Sequence, residues 1–400
     1  MFDSVNFAVA AVYAAYIVFT VFLFVFMHRR IFALQKIYSE TKPRYEDIPA
    51  RFKKLAAFAK DNKKDFITVC VLFFSGLIVT SLLFGLRKID SVNGGTDAIQ
   101  YMLWFDNSKY YGLFEYLKVR NVEPVLVIFL WLFKRMAFSY SAVQIIYYAL
   151  FFTLTAALLF RMPYNKTFNA RYLIMVLLIL TSMNLMRNNL ACLIGWHIII
   201  TVLNKKYLRA VFYSVGAALI HFSALIIIFS VVFLKLADLT EKKFKNIWLF
   251  GAAAAGVFVV AYFAVHYAVK ILPLGKYSSY AVGSFAAVPT FYKLFVLFFV
   301  MLNYRKFIEK SDENRIYFML LLSSLIIVPL QLNLDICYRM LCYYDLIYVL
   351  LTPALLDFYR QDRLLSDAAL NCGVYGKLAY DGVYYFTVTA VSYGLYFFAW

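Results

Sequence analysis

The chain has 400 residues, 64% of them hydrophobic, 20% aromatic and only 16% charged, with a mean hydropathy of +0.73. Soluble domains are about half apolar, so a water-soluble fold is excluded and an all-α, polytopic integral membrane protein is expected; strand alternation is absent, which argues against a barrel. The net charge of +18 is read as lysines and arginines held in cytoplasmic loops, and nucleic-acid binding is not expected.

The first apolar run, residues 6 to 27, has no basic residue before it and no small-residue cleavage site after it, which reads as a retained helix. Residues 28 to 65 follow with eleven Lys or Arg against five acids and are expected to form a basic cytoplasmic loop. Five further basic segments, 161 to 171, 204 to 209, 235 to 245, 304 to 315 and 357 to 377, bring the total to 28 of the 40 Lys and Arg. With all six on the cytoplasmic side, each apolar stretch between two of them crosses the membrane an even number of times.

Parity then orders the remaining elements. Residues 66 to 86 exit, 87 to 123 form an outer loop with five basic and five acidic residues, and 141 to 160 return. Between them, residues 124 to 138 are too short, and too interrupted by Lys134 and Arg135, to cross; a re-entrant or interfacial helix is expected. Residues 172 to 203 become a hairpin with Arg187 near its apex, and 210 to 234 a second one with His221 near its apex. The arms of these hairpins, about 17 to 24 Å long, are shorter than the roughly 30 Å apolar core. A single tilted pass is the alternative for residues 210 to 234. Later stretches at 246 to 270, 290 to 303, 316 to 333, 340 to 356 and 380 to 400 bring the expected total to about 11 to 12 transmembrane or re-entrant helices in one polytopic domain.

The outer turns gather Asp97, Asp106, Glu115, Glu123, Lys134, Arg135, Arg187, His221, Asp335 and Arg339. Ionisable groups at membrane depth are costly, which makes each a candidate for function. Bland roles stand beside that reading: Arg187 and Arg339 as snorkelling anchors, His221 as a packing residue, Asp97 as the cap of a helix starting at Ala98. Cys70, Cys192, Cys337, Cys342 and Cys372 show neither metal-ligand spacing nor a disulfide framework, and no metal or cofactor is expected.

The order of motifs carries a resemblance. GTDAIQYMLWF (95 to 105), EPVLVIFLWLFKRM (123 to 136), MRNNLACLIG (186 to 195), GAALIHFSALIIIF (216 to 229) and YRMLCYYDLIYVLLTP (338 to 353) together resemble the EpsG-type branch of bacterial polysaccharide polymerases, related to the Wzy polymerases. The likeness extends over roughly residues 85 to 356; Asn188 stands where that family usually has Gln and Ile220 where it usually has Phe. It implies a membrane glycosyltransferase architecture of the GT-C kind in the bacterial cytoplasmic membrane. It also implies polymerisation of oligosaccharide repeat units carried on a polyprenyl diphosphate, at the outer face, with a chain-length regulator and other polysaccharide-assembly proteins as partners. Arg187 and Arg339, assisted by Arg135 or Lys134 and by Asn188, would bind the diphosphate. His221, Asp97 or Glu123 would take the proton of the attacking hydroxyl. A lipid-linked oligosaccharide flippase or exporter, a ligase-like glycosyltransferase and a non-catalytic scaffold are the other classes.

Overall fold

A computed structural model describes residues 7–38, 63–87, 89, 96–120, 122–162, 170–182, 185–240, 287–328, 340–344 and 346–362. Every regular element among them is helical. In chain order these are α1 (Phe7–Tyr38), α2 (Lys63–Gly85), α3 (Thr96–Asn107), α4 (Leu113–Arg120), α5 (Pro124–Arg135), α6 (Tyr140–Leu159) and α7 (Ala170–Thr181). They continue with α8 (Met186–Leu203), α9 (Tyr207–Ile220), α10 (Leu225–Thr240), α11 (Ala287–Leu302), α12 (Tyr304–Lys310), α13 (Asp312–Ile327) and α14 (Leu346–Asp362). The chain is a helical integral membrane protein: Ala11–Phe32, Lys63–Gly85, Tyr140–Leu159 and Met186–Leu203 are each long and apolar enough to cross a bilayer.

The α2 helix shows which solvent shaped this surface. Its buried face carries small residues, Gly76, Thr80, Ser81 and Gly85, while Ile67, Val71, Phe74, Ile78 and Leu82 stand exposed at spacings of three and four. In water that stripe would aggregate; against lipid tails it is the correct outer face, and close packing of small residues is what joins the helices. A Cβ added at Gly85 would lie 2.8 Å from both Cα and N of Ile145 on α6, and one at Gly76 would run into the Phe152 ring. Glycine is therefore what lets α2 and α6 approach this closely. On α1, Tyr16 bonds Thr80 through its hydroxyl at 3.0 Å, and Tyr13, Thr20, Leu23, Phe24, Met27 and His28 complete the buried face.

The chain divides into two compact units. The first holds the described residues up to Ile200 together with Gly216–Phe222, and its core is the packing of α1, α2, α6 and α7. Within it α1 runs on to Tyr38, so the first eleven residues of the basic segment are helical. His28 is buried there because both ring nitrogens find partners, the Tyr172 hydroxyl at 3.0 Å and the Met162 carbonyl at 3.2 Å. The arginine that opens the next basic turn is buried too. Arg161 donates to His197 Nδ1 at 2.9 Å, so His197 carries its proton on Nε2 and donates it to the Leu154 carbonyl at 2.9 Å.

The second unit holds Thr201–Val215 and the described residues after Phe222. Its α13 packs against α10, α11, α12 and α14. Hydroxyl pairs tie it together: Ser223 with Tyr343 at 3.0 Å and Ser230 with Tyr344 at 2.5 Å. The stretches expected at 246 to 270 and 380 to 400 lie outside the described residues.

Candidate functional site

Three chain breaks build the site. The first precedes α5, where Pro124 occupies the first helical position; proline has no N–H to offer a cap there and its fixed φ starts the turn. Glu123 sits just before it with ψ of 133° and makes no side-chain bond to its own helix, so its carboxylate reaches elsewhere. The α5 helix runs 12 residues, about 18 Å, too short for the roughly 30 Å of a bilayer core. It closes at Ala137, whose φ of 59° lies in the left-handed region, and Ser139 then caps α6 by accepting from the Ala142 N–H at 3.2 Å. The second break lies between α7 and α8 and places Arg187 in the first turn of α8. The third is at His221, between the end of α9 and the 3₁₀ turn Phe222–Ala224. Arg187 and His221 thus stand beside breaks within the stretches 172 to 203 and 210 to 234.

All three meet at Glu123. Arg187 Nη1 donates to Glu123 Oε2; His221 Nδ1 bonds Oε1 at 2.8 Å, and the Phe222 N–H donates to the same oxygen at 3.0 Å. The side chains are 14%, 19% and 12% exposed for Glu123, Arg187 and His221. Burial by itself would raise the Glu123 pKa. The His221 hydrogen bond, the Arg187 charge and the Phe222 N–H outweigh it and hold the group down at about 2. Glu123 is thus a carboxylate at any physiological pH and only accepts. It follows that His221 carries a proton on Nδ1, and that the work of this ring is left to Nε2.

Aromatic rings hold the arginine from the other side. Arg187 Nε donates to the Tyr101 hydroxyl at 3.0 Å, and its guanidinium carbon lies 5.5 Å from the Tyr101 ring centroid and 5.7 Å from that of Trp104. Both rings come from α3, spaced i, i+3 and so on one face. The α6 helix fixes the elements behind them. Tyr147 donates to the Met186 carbonyl at 2.7 Å, next to Arg187. Gln144 receives Arg87 at 3.2 Å and passes its own N–H to Tyr140 at 2.7 Å, which donates to the Ala98 carbonyl of α3 at 3.1 Å.

The remaining candidates fall in other places. Lys134 is paired with Asp106 at 2.7 Å and lies over the Phe105 ring at 4.4 Å. Arg135 is exposed, donates to the Tyr111 carbonyl at 2.9 Å and stacks on Trp131 at 5.3 Å. Asn188 is buried and donates to Asn189 Oδ1 at 3.4 Å and towards Cys192 Sγ at 3.7 Å. Asp97 belongs to the first turn of α3, one turn before Tyr101. Arg339 and Asp335 lie outside the described residues. Tyr101, Trp104 and the Phe222 N–H are parts of the site that sequence reasoning passed over. Among the described residues, no group of three or more His, Cys, Asp or Glu side chains is arranged to hold a metal ion.

The family model described as the EpsG family matches residues 70–372, more than half of the chain and all of the site above. No curated protein and no solved structure matches the chain.

Proposed function

The chain belongs to the EpsG family, a polysaccharide-polymerase-like group, and from that membership we propose that it joins oligosaccharide repeat units carried on polyprenyl diphosphate. The reaction takes place at the outer face of the bacterial cytoplasmic membrane, in which the chain is multi-pass. One observation carries the reading: a single carboxylate, Glu123, binds both Arg187 and His221, bringing a fixed cation and an oriented imidazole to one point.

The chemistry asked of them is a glycosyl transfer. A hydroxyl of the acceptor unit attacks the anomeric carbon of the donor, the bond from that carbon to the diphosphate oxygen breaks, and the electron pair leaves on the diphosphate. The hydroxyl proton passes to His221 Nε2, whose lone pair is available because Nδ1–H is engaged by Glu123. Glu123 is a positioning residue: it sets the tautomer and aim of the ring and holds Arg187 in place. Arg187 lies where negative charge grows on the leaving diphosphate, and a guanidinium there stabilises the transition state more than the ground state. A positioned general base contributes roughly 10² to 10⁴ in rate, and one donor to the leaving anion about 10² to 10³.

The test uses the purified full-length protein with its lipid-linked repeat unit. Longer lipid-linked glycans are expected from the wild type and at least about 10²-fold fewer per unit time from His221→Ala. Unchanged single repeat units from the wild type, or equal product from His221→Ala, refute the assignment. The face is tested separately with Phe222→Cys in a background lacking the native cysteines, which an impermeant thiol reagent labels from outside. Labelling from the cytoplasmic side alone refutes the outer-face placement.

A further inference from the structure

A diphosphate carries more charge than the site described so far can answer. The charge of Arg187 is matched by Glu123 and that of Lys134 by Asp106, so neither pair brings net positive charge. Arg135 is exposed, donates to the Tyr111 carbonyl and stacks on Trp131, a different indole from the one that Arg187 uses. One more arginine stands close by. Arg120 ends α4 with its guanidinium carbon 5.6 Å from the Trp104 ring centroid and 5.2 Å from that of Tyr116.

Its surroundings are aromatic. Among the described residues no carboxylate lies within ion-pairing distance of Arg120, and its buried Nε has no hydrogen-bond partner. Aromatic faces hold the cation in place through their quadrupoles without cancelling its charge. The faces themselves are fixed, because Tyr116 is fully buried and donates its hydroxyl to the Trp104 carbonyl at 2.5 Å. Arg187 uses the same indole: the two guanidinium carbons lie 5.7 and 5.6 Å from the Trp104 centroid, so they are no further apart than those two lengths laid end to end.

We propose that Arg120 is the second diphosphate-binding residue of this site, taking one phosphate of the donor's diphosphate while Arg187 takes the other across Trp104. This rests on the lipid-diphosphate reading given above and adds to it a residue and a division of labour. Arg120 brings the net positive charge that the leaving group needs, while Arg187, whose charge is shared with Glu123, donates its fork to the phosphate on which negative charge grows. The pair therefore discriminates a diphosphate from a monophosphate, because only the longer anion reaches both forks.

Binding of geranyl diphosphate and geranyl monophosphate to the detergent-purified full chain tests it. The wild type is expected to bind the diphosphate more tightly. Arg120→Gln lowers affinity for the diphosphate about tenfold, in line with the loss of one hydrogen bond to a charged group, and leaves the monophosphate within about twofold. Arg120→Lys, which keeps the charge and the packing stem, lies between the two, and it serves as the test if the glutamine variant does not fold. A variant that binds the diphosphate as the wild type does overturns the proposal, as does one that loses both ligands equally. Equal affinity of the wild type for the two ligands marks Arg120 as a headgroup anchor and overturns it too. A wild type that binds neither removes the lipid-diphosphate reading itself, an outcome distinct from failure of Arg120 alone.

Discussion

Replacing Glu123 by glutamine keeps the shape of the side chain and removes its charge, and the structure says what that costs. The carboxyl is held at about 2, against an ordinary 4.5, by His221, Arg187 and the Phe222 N–H acting against burial. At 1.36 kcal/mol per pH unit the preference for the charged form is roughly 3 kcal/mol, and screening at a partly wet site reduces it to about 2 kcal/mol. An amide has one acceptor oxygen where the carboxylate has two, so in Glu123→Gln an N–H₂ must face either Arg187 or His221, donor against donor. The sign of the pH dependence follows from the direction of the shift. A depressed carboxyl pKa contributes stability that is complete above about 4.5 and is lost as pH falls through about 2. At pH 7, thermal or denaturant unfolding in detergent is expected to find Glu123→Gln less stable than the wild type by about 2 kcal/mol. Between pH 4.5 and pH 2 the two curves converge, because the wild type loses what the variant never had. Polymer formation at pH 7 drops by roughly 10²-fold or more as the imidazole loses its orienting partner. A variant as stable as the wild type at pH 7, or a stability gap that stays constant down to pH 2, refutes the linkage of the three residues.

Arg187→Lys keeps the charge and loses the fork and the ring stacking; polymerisation is expected to fall about 10²-fold with normal membrane insertion, and normal polymer length and rate would return Arg187 to an anchoring role. His221→Asn offers no base, so its activity falls to the level of His221→Ala rather than midway; retention of most of the rate would mean that the ring is packing. Gly85→Ala drives a methyl against the Ile145 backbone and is expected to destabilise the chain by about 1 to 3 kcal/mol. Gly76→Ala meets the far end of the Phe152 side chain and no backbone atom and costs less, and a reversed order of melting temperatures would show that α2 and α6 have room to separate.

Some of this was legible before any coordinates. The apolar runs at 66 to 86 and 141 to 160 are α2 and α6 within a few residues, since an uncharged run of about 20 residues has few fates other than a membrane helix. Arg187 and His221 stood out because an ionisable group in the middle of such a run demands a reason, and Glu123 because it is an acid that opens the next apolar stretch. Their convergence was not legible, for the partners stand 64 and 98 residues apart. Lys134 looked as available as Arg187 until Asp106, 28 residues upstream, was seen to neutralise it. Tyr101 was hidden by abundance: among 33 tyrosines and 41 phenylalanines no single ring announces that it carries a cation, and Trp104, one of five tryptophans, comes to Arg187 only through the fold. Where α1 enters the basic segment, His28 meets Tyr172, 144 residues on, a contact without a local signature.

The convergence on Glu123 also sets a clock for biosynthesis. The glutamate leaves the ribosome 64 residues before Arg187 and 98 residues before His221. At about 5 to 20 residues per second it waits roughly 5 to 20 s for its last partner. Until Arg187 emerges, 64 residues on, the carboxylate must stay in water or in the insertion machinery, since burying it unpaired would cost several kcal/mol. The short α5 that follows it is unable to span a bilayer and packs on α3 and α4, which are made before it. Nascent chains arrested before Arg187 has left the exit tunnel should therefore leave this segment open to protease or to aqueous labelling, and its release should close it.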